Sequence, residues 1–521
     1  MKIASIQVEA NDLKDYKTAM QKLLNMVEKA AYENDLIIVP EAAFPAYFLG
    51  HEEGNLTAIL EQSENYLNKI KEIAISEKSY IAYGYAEKEK DNLYNTAVLL
   101  NRDGVEIAKK RKSFLWHFDS NWFTAGEETA IVDTEFGRIA LVVCADARMP
   151  EIIRLAALEG AELIIDLANL TATGPDISEL HNAQSAYMLS ARALENQVWL
   201  AVSDKWGVEA NTITYAGRSS IFAPDGTCLI QASSDKDEII SAEIPCDSQG
   251  RVKKTEAEVK FYEQRKPNYY KTLTSPIDSL PIVKYMKEPL IPANLTPFVI
   301  VAAGYMEEEY LHMIRRMVNQ GSTFIVMPPN QVNIEHVIEE LKSILPFNCY
   351  LFATTIDNSG GLISYMITNE GIRKRYSTIH SESTDEVNME SLVFETKWGR
   401  VAIMHGVEGM MPEWSRTLML LGADCIIWPN QYSPDVAIKI ARTRAAENRI
   451  YIISSQSSNE HGNISQIIDP NGVVIASTIQ SLKKHACGVL VPFVNSRIKD
   501  IVPGTNVVLN RNPQNYGRLI K

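Results

Sequence analysis

Hydrophobic and polar positions along this chain fall into two alternating rhythms, and the same succession of rhythms occurs twice. A short apolar run, Ile3 to Val8, predicts a strand, and Tyr16, Met20, Leu23, Leu24 and Val27 then recur at helical spacing. Leu36-Ile37-Ile38-Val39 reads as a second, fully buried strand. Further on, Phe298 to Ala302 predicts a strand, and Leu311, Ile314, Met317 and Val318 a helix that Gly321 ends. Phe324-Ile325-Val326-Met327 follows as the next strand. Later runs in the first half (Ile139 to Val143, Leu163 to Ile165, Val198 to Ser203) alternate with helical stretches over Pro150 to Leu158 and Ala183 to Asn196. Asp103-Gly104 and Asp225-Gly226 sit between β-rich segments, as hairpin turns do. Strands that alternate with amphipathic helices predict an α/β protein of sheets faced by helices.

The repetition extends to individual residues. Phe136-Gly137-Arg138-Ile139-Ala140 finds its counterpart in Trp398-Gly399-Arg400-Val401-Ala402, in a register that places Cys144 on Gly406. Met149-Pro150-Glu151 falls on Met411-Pro412-Glu413, and Arg154 on Arg416. Arg192-Ala193-Leu194-Glu195-Asn196 matches Arg444-Ala445-Ala446-Glu447-Asn448, and Pro224-Asp225-Gly226 matches Pro470-Asn471-Gly472. The ends agree too, Arg265-Lys266-Pro267 with Arg511-Asn512-Pro513. An ordered series of this kind means two copies of one fold. The expected boundaries are residues 1–275 for the first copy, a Pro-containing linker at 276–294, and 295–521 for the second.

Composition narrows the partners. The 521 residues are 46% hydrophobic and 22% charged, with a formal net charge of -14. The densest basic run is Lys109-Lys110-Arg111-Lys112, too short to offset that charge, so nucleic acid and anionic membranes are not expected partners. No stretch of 18 apolar residues is present, and the N-terminus reads as a strand rather than a signal peptide. The 6 cysteines are scattered, with no CxxC and no zinc-type spacing. They are expected to be reduced thiols of a cytoplasmic protein, with no metal and no disulfide framework.

Three segments of the first copy carry the chemistry. Val39-Pro40-Glu41 sets a carboxylate just beyond a buried strand. Lys112 follows a strand-turn-strand unit. Cys144 ends the run Ile139 to Val143, just before a helix opened by Met149-Pro150-Glu151. A thiol on a strand-to-helix elbow meets partial positive charge from backbone N–H groups that favours its thiolate, and a nearby Lys is expected to lower its pKa further. The Lys can also stabilise an oxyanion, and a Glu within reach can move the protons. Taken singly, each residue has a plainer reading: a buried structural thiol, a loop carboxylate, a solvated lysine.

Taken together they resemble the nitrilase superfamily of carbon–nitrogen hydrolases. The pattern reads here as Pro40-Glu41, Lys112-Ser113-Phe114-Leu115 and Cys144-Ala145-Asp146-Ala147-Arg148-Met149-Pro150-Glu151, supported by Phe123-Thr124-Ala125-Gly126-Glu127. The resemblance implies two tandem α-β-β-α four-layer sandwiches and no cofactor. It gives Cys144 the part of nucleophile, Glu41 that of base and Lys112 that of cationic partner, with the Ala145 backbone N–H as oxyanion donor. Where the family carries His after Lys-x this chain has Phe114, and where many members have a second Glu it has Asp119, expected to orient Lys112 or meet substrate. The second copy carries Pro329 at the position of Glu41, Thr378 or Ile379 at that of Lys112, and Gly406 at that of Cys144, so it is expected to be non-catalytic. Its His380 and His405 have no matching nucleophile or carboxylate in the sequence. Ser359-Gly360-Gly361 superficially resembles a nucleotide-binding loop, but its setting between two β-rich runs predicts a hairpin turn.

The expected reaction is hydrolysis of a small amide or N-carbamoyl compound, with release of ammonia. Asp146, two residues past the thiol, resembles the amidase and carbamoylase branches, whereas nitrilases usually place Trp-Glu after the Cys. The alternatives are nitrile hydrolysis through a thioimidate and a non-catalytic scaffold. The two copies are expected to pack on each other as a linked version of the family's dimer, with further homo-oligomerisation left open.

Overall fold

The computed structural model describes residues 1–50, 56–127, 130–172, 182–253, 261–288, 296–304, 309–358, 360–380, 389–457, 462–482 and 484–521. The chain divides into two compact units. One comprises Met1–Lys260 with Val502–Thr505; the other comprises Phe261–Ile501 with Asn506–Lys521.

In the first unit, the strand Lys2–Glu9 runs parallel to Leu36–Ile38, which runs parallel to Tyr80–Glu89. Asn92–Leu100 and Glu106–Arg111 extend the sheet by antiparallel pairing. On its other side Lys2–Glu9 pairs antiparallel with Glu238–Glu243 and parallel with Lys205–Glu209. A second sheet runs in the order Ala130–Thr134, Gly137–Val143, Leu163–Leu167, Trp199–Ser203, Ser220–Phe222 and Cys228–Gln231, parallel at its centre.

Successive side chains on a strand face opposite ways, and here both faces are apolar because both are covered. Ile3, Leu36 and Ile38 join Leu141, Ile164 and Leu200 in the core between the sheets. Ala4, Ile6, Ile37 and Val39 pack instead with Met20, Leu23 and Val27 of the helix Tyr16–Ala31. The helices Pro150–Leu158 and Leu189–Asn196 cover the far face of the second sheet, through Ile152, Ile153 and Ala193 among others. The result is the four-layer α-β-β-α sandwich.

The second unit repeats this plan. One six-stranded sheet runs Gly371–Ser377, Leu362–Thr368, Tyr350–Ile356, Phe324–Val326, Phe298–Ala303 and His485–Leu490. The other runs Val393–Thr396, Gly399–Ile403, Cys425–Asn430, Tyr451–Gln456, Gln466–Ile468 and Val474–Ser477. Gly360 and Gly361 form a turn in which the Asp357 N–H donates to Gly361 O (2.9 Å), and so belong to a hairpin; Ser359 lies outside the described residues.

Two features depart from the sequence reading. The segment 261–275, expected in the first copy, packs within the second unit, where Arg265 Nε donates to Glu413 Oε1 at 2.7 Å and both side chains are buried. Residues 276–288 of the expected linker have structure of their own. They form a turn at Ile277–Ser279 and a helix at Pro281–Met286, with Leu280, Ile282 and Val283 buried. Proline at a helix's first position has its φ preset and no N–H to leave unpaired, so Pro281 starts this helix well. Residues 289–294 lie outside the described residues.

Candidate active site

Glu41 sits in a turn just past Leu36–Ile38, tied to the neighbouring strand where the Val39 N–H donates to Ala82 O. That turn lies so close to Tyr80–Glu89 that a side chain at Gly84 would meet Pro40 O at 2.5 Å and Glu41 Cα at 2.9 Å. Only glycine fits there. Lys112 follows the edge strand Glu106–Arg111, its backbone gripped on both sides: its N–H donates to Asn95 O, and Gly126 N–H donates to its carbonyl. The Phe123 to Gly126 segment thereby folds over the lysine.

Cys144 ends the strand Gly137–Val143 and opens a helical turn, Cys144–Arg148, ahead of the helix Pro150–Leu158. Its φ is +51°, left-handed backbone that a side chain other than glycine seldom adopts. Hydrogen bonds hold that conformation. The Cys144 N–H donates to Asp166 Oδ1 at 2.7 Å, and Gln184 Nε2 donates to Cys144 O at 2.9 Å. Asp146 accepts from the N–H and hydroxyl of Ser113 and from the Phe114 N–H, and so joins the elbow to the loop that carries Lys112.

Glu41, Lys112, Asp119 and Cys144 converge at this place, all buried, with Cys144 5% exposed and the other three at 0%. Lys112 Nζ lies 2.8 Å from Glu41 Oε1 and 2.6 Å from Asp119 Oδ2. Asn95 Nδ2 also donates to Glu41 Oε1, at 2.7 Å. Glu41 Oε2 is buried and has no hydrogen-bond partner among the described residues. Cys144 Sγ also reaches Asn169 O at 3.7 Å, while Asn169 Nδ2 donates to Glu41 O at 3.0 Å. Ala145 is buried in the first helical turn beyond Cys144, where backbone N–H groups have no intrahelical acceptor.

The electrostatics correct one expectation. Burial pushes the Cys144 thiol well above its ordinary pKa, and the Glu41 charge adds to that, so Lys112 does not bring it down to a resting thiolate. Burial raises the Glu41 carboxyl as well, against the pull of Lys112. For Lys112, burial opposes the charge, but Asp119 and Glu41 outweigh it and hold the ammonium well above its usual pKa. The resting set is a neutral thiol beside an ion pair.

Several neighbours escaped the sequence reading. Asp166 was legible as a carboxylate inside the apolar run Leu163–Leu167, and burial drives its pKa well above the ordinary carboxylate value, against the hydrogen bond from the Cys144 N–H. Asn95, Asn169 and Gln184 gave no periodic signal at all. Lys205, donating to Ala42 O at 3.0 Å, and Glu209, accepting from Tyr215 Oη at 2.6 Å, support the Glu41 turn from behind. Among the described residues no group of three or more His, Cys, Asp or Glu is placed to hold a metal, and no helix is long and apolar enough to cross a membrane.

The same elbow in the second unit is differently furnished. Glu408 accepts from the Ile379 and His380 N–H groups as Asp146 does from Ser113 and Phe114, which sets Thr378 at the position of Lys112. Gly406 stands at the position of Cys144, with φ +40°. Contrary to the sequence reading, a carboxylate does accompany both histidines. Glu408 accepts from the His405 N–H at 2.7 Å and lies 3.1 Å from His380 Nδ1, whose Nε2 is 2.7 Å from Tyr270 Oη.

Known proteins resolve the family. The sequence profile described as Carbon-nitrogen hydrolase matches residues 2–254 and again 299–486. This chain belongs to the carbon–nitrogen hydrolase family. It carries the fold twice, and its curated relatives align with about half of it. A probable nitrilase of Schizosaccharomyces pombe is 27% identical over 280 residues, 53% of this chain and 98% of the relative. An (R)-stereoselective amidase of Pseudomonas sp. is 26% identical over 239 residues, 45% of this chain and 82% of the relative. A solved amidase of Nesterenkonia sp. is 23% identical, covers 48% of this chain and 92% of its own, and superposes with a TM-score of 0.42.

Proposed function

We propose that the first unit hydrolyses the carbon–nitrogen bond of a small amide or N-carbamoyl compound through a Cys144 thioester. The observation that supports this most is the buried set in which Lys112 lies 2.8 Å from Glu41 beside the neutral Cys144 thiol. A neutral thiol needs a base, and Glu41 is that base. As Cys144 Sγ attacks the carbonyl carbon, its proton passes to Glu41, and the new oxyanion takes hydrogen bonds from Lys112 Nζ and the Ala145 N–H. Glu41 returns the proton to the departing nitrogen. Ammonia leaves, and the acyl group stays on sulfur. A water that gives its proton to Glu41 then attacks the thioester, and the tetrahedral species collapses to acid and thiol. Lys112 stays charged throughout, and Asp119 orients it.

Amide is preferred over nitrile as substrate class because relatives named as amidases recur, among them an omega-amidase of Saccharomyces cerevisiae 27% identical over 267 residues. Asp146 adds less than its place in the sequence suggested, since its Oδ1 holds the Ser113 and Phe114 amides and its Oδ2 the Val143 amide. An ammonia-release assay on an amide and a nitrile with the same side group decides between the two. Faster turnover of the amide is expected, and faster turnover of the nitrile overturns the preference for amides.

A further inference from the structure

Asp119 meets Lys112 from a tight turn, the short helical segment His117–Asn121. The turn is tied around Asp119 itself. Its Oδ2 accepts from the Trp116 N–H at 2.9 Å and lies 2.6 Å from Lys112 Nζ, while its carbonyl accepts from the Trp122 and Phe123 N–H groups. Aspartate has one methylene less reach than glutamate, so the contact with Lys112 depends on where this turn holds its backbone.

His117 begins the turn with φ +46°, left-handed backbone that a residue other than glycine seldom adopts. The first N–H groups of a helical turn find no acceptor within it. For His117 the acceptor is Thr505 Oγ1, 2.7 Å away and 388 residues further along the chain. The ring makes a second tie, its Nδ1 3.1 Å from Pro503 O. A carbonyl can only accept, so Nδ1 carries the proton and donates. His117 is exposed, but Thr505 is 0% exposed, so water does not compete for its hydroxyl from behind.

Val502–Thr505 belongs to the first unit although the rest of that unit ends at Lys260. Residues that only covered the turn would need no particular polar atom. Here a hydroxyl takes the backbone N–H and a carbonyl takes the ring of one residue, the one at which the chain turns towards Asp119.

We infer that Thr505 is a positioning residue of the first unit's site: acting through His117, the Val502–Thr505 segment holds the turn that presents Asp119 to Lys112. The site is then incomplete without a segment that follows almost all of the second copy in the chain. The inference rests on the reading of Lys112 as the cation of the reaction.

Thr505→Val in the full-length chain tests it, since valine keeps the shape of threonine and removes the acceptor. With propionamide as substrate, kcat for ammonia release should fall about tenfold with KM little changed, the scale of one lost hydrogen bond. Thr505→Ser, which keeps the hydroxyl, should recover most of that loss. Thr505→Ala replaces the valine variant if valine lowers the melting temperature. Labelling of Cys144 by iodoacetamide at pH 8, followed peptide by peptide, needs no turnover. It should be about threefold faster in Thr505→Val, because a Lys112 less engaged by Asp119 favours the thiolate more. An unchanged kcat in Thr505→Val, or a loss that Thr505→Ser shares, overturns the inference and leaves the reaction standing. If none of the proteins releases ammonia, the proposed reaction fails and the labelling rates decide. Faster labelling in Thr505→Val but not in Thr505→Ser then supports the inference, and any other pattern overturns it.

Discussion

The strand-to-helix elbow at Cys144 and its twin at Gly406 share a backbone and differ in nearly everything presented on it. Both residues have left-handed φ, +51° and +40°. Both are followed by a short helical turn and a proline-started helix, Pro150–Leu158 or Pro412–Leu420. In both, an acid two residues on accepts from two consecutive N–H groups of the loop after the sheet-edge strand. The anchors that hold the elbow residue have been exchanged. Asp166 takes the Cys144 N–H and Gln184 its carbonyl, whereas the Trp428 indole, at the strand position equivalent to Asp166, donates to Gly406 O at 3.0 Å. The scaffold of the turn was kept in both units, while the groups that can do chemistry were kept in one. Glycine enters the left-handed region freely, whereas a cysteine held there needs anchors, and the first unit keeps them where the thiol stands.

This comparison is broken most severely by losing the first unit's reactive groups. Cys144→Ala and Glu41→Gln are each expected to abolish ammonia release with the melting temperature little changed, because groups that act as one unit lose most of the rate together. Lys112→Met should cost about 100-fold or more in kcat, the scale of a lost oxyanion donor. Near-normal ammonia release from Cys144→Ala would overturn the mechanism.

Chain division comes next. A fragment beginning at Phe261 should be more stable than one beginning at Pro276 by roughly 3–5 kcal/mol, the scale of breaking a buried ion pair. The shorter fragment lacks Arg265, which is 2.7 Å from the buried Glu413. Denaturant melts of the two fragments measure this, and equal midpoints would show that the pair contributes nothing.

The elbow anchor gives a third, smaller effect. Asp166→Leu removes the acceptor for the Cys144 N–H and should lower kcat by about ten- to 100-fold, since an unsatisfied buried donor costs about 1–3 kcal/mol. Asp166→Asn should retain most of the activity, because its amide oxygen can still accept from the Cys144 N–H. If Asn and Leu are equally damaging, holding the Cys144 N–H is not what Asp166 contributes.

Acid sharpens the contrast between units. Glu408 is held at about 2 against an ordinary 4.5, and His405 at about 4 against 6.5; burial opposes the Glu408 charge, but its histidine and backbone hydrogen bonds prevail. Both folded values lie below the unfolded ones, so their stabilisation is complete above about pH 6.5 and is lost as pH falls through 4 and then 2. Melting of the fragment starting at Phe261 should therefore fall over that window, and Glu408→Gln should flatten the lower part of it. Activity of the full chain should fall on the acid side as Glu41 protonates, with a midpoint above 4.5 because burial raises its pKa.

The smallest expected effect is none. Gly406→Cys in the Cys144→Ala chain should restore no ammonia release, since Pro329 and Thr378 supply neither base nor cation. Measurable activity would mean that the second elbow needs only its thiol.

Much of this was legible beforehand. The repeat, the α/β layering and the convergence of Glu41, Lys112, Asp119 and Cys144 were all readable, because strand and helix periods and a sparse motif are local properties of a chain. The charge state of the thiol was not legible. Proximity of a lysine suggested a thiolate, whereas burial and the Glu41 charge, both products of packing, hold the proton on sulfur. Asn95 and Gln184 were invisible for a related reason: each is an ordinary polar residue until a strand pairing or helix placement brings it against Glu41 or Cys144.

By itself, the sequence determined that there are two copies of one α/β sandwich and that one of them kept a carboxylate, a lysine and a thiol at the strand ends. Apolar periodicity selects the elements, and their order restricts the ways they can stack. Only the tertiary structure decided that residues 261–275 belong with the second unit and that Asp146 and Glu408 hold the elbows. Those outcomes depend on distances between residues far apart in the chain, and on burial, which makes a missing partner or a buried charge costly.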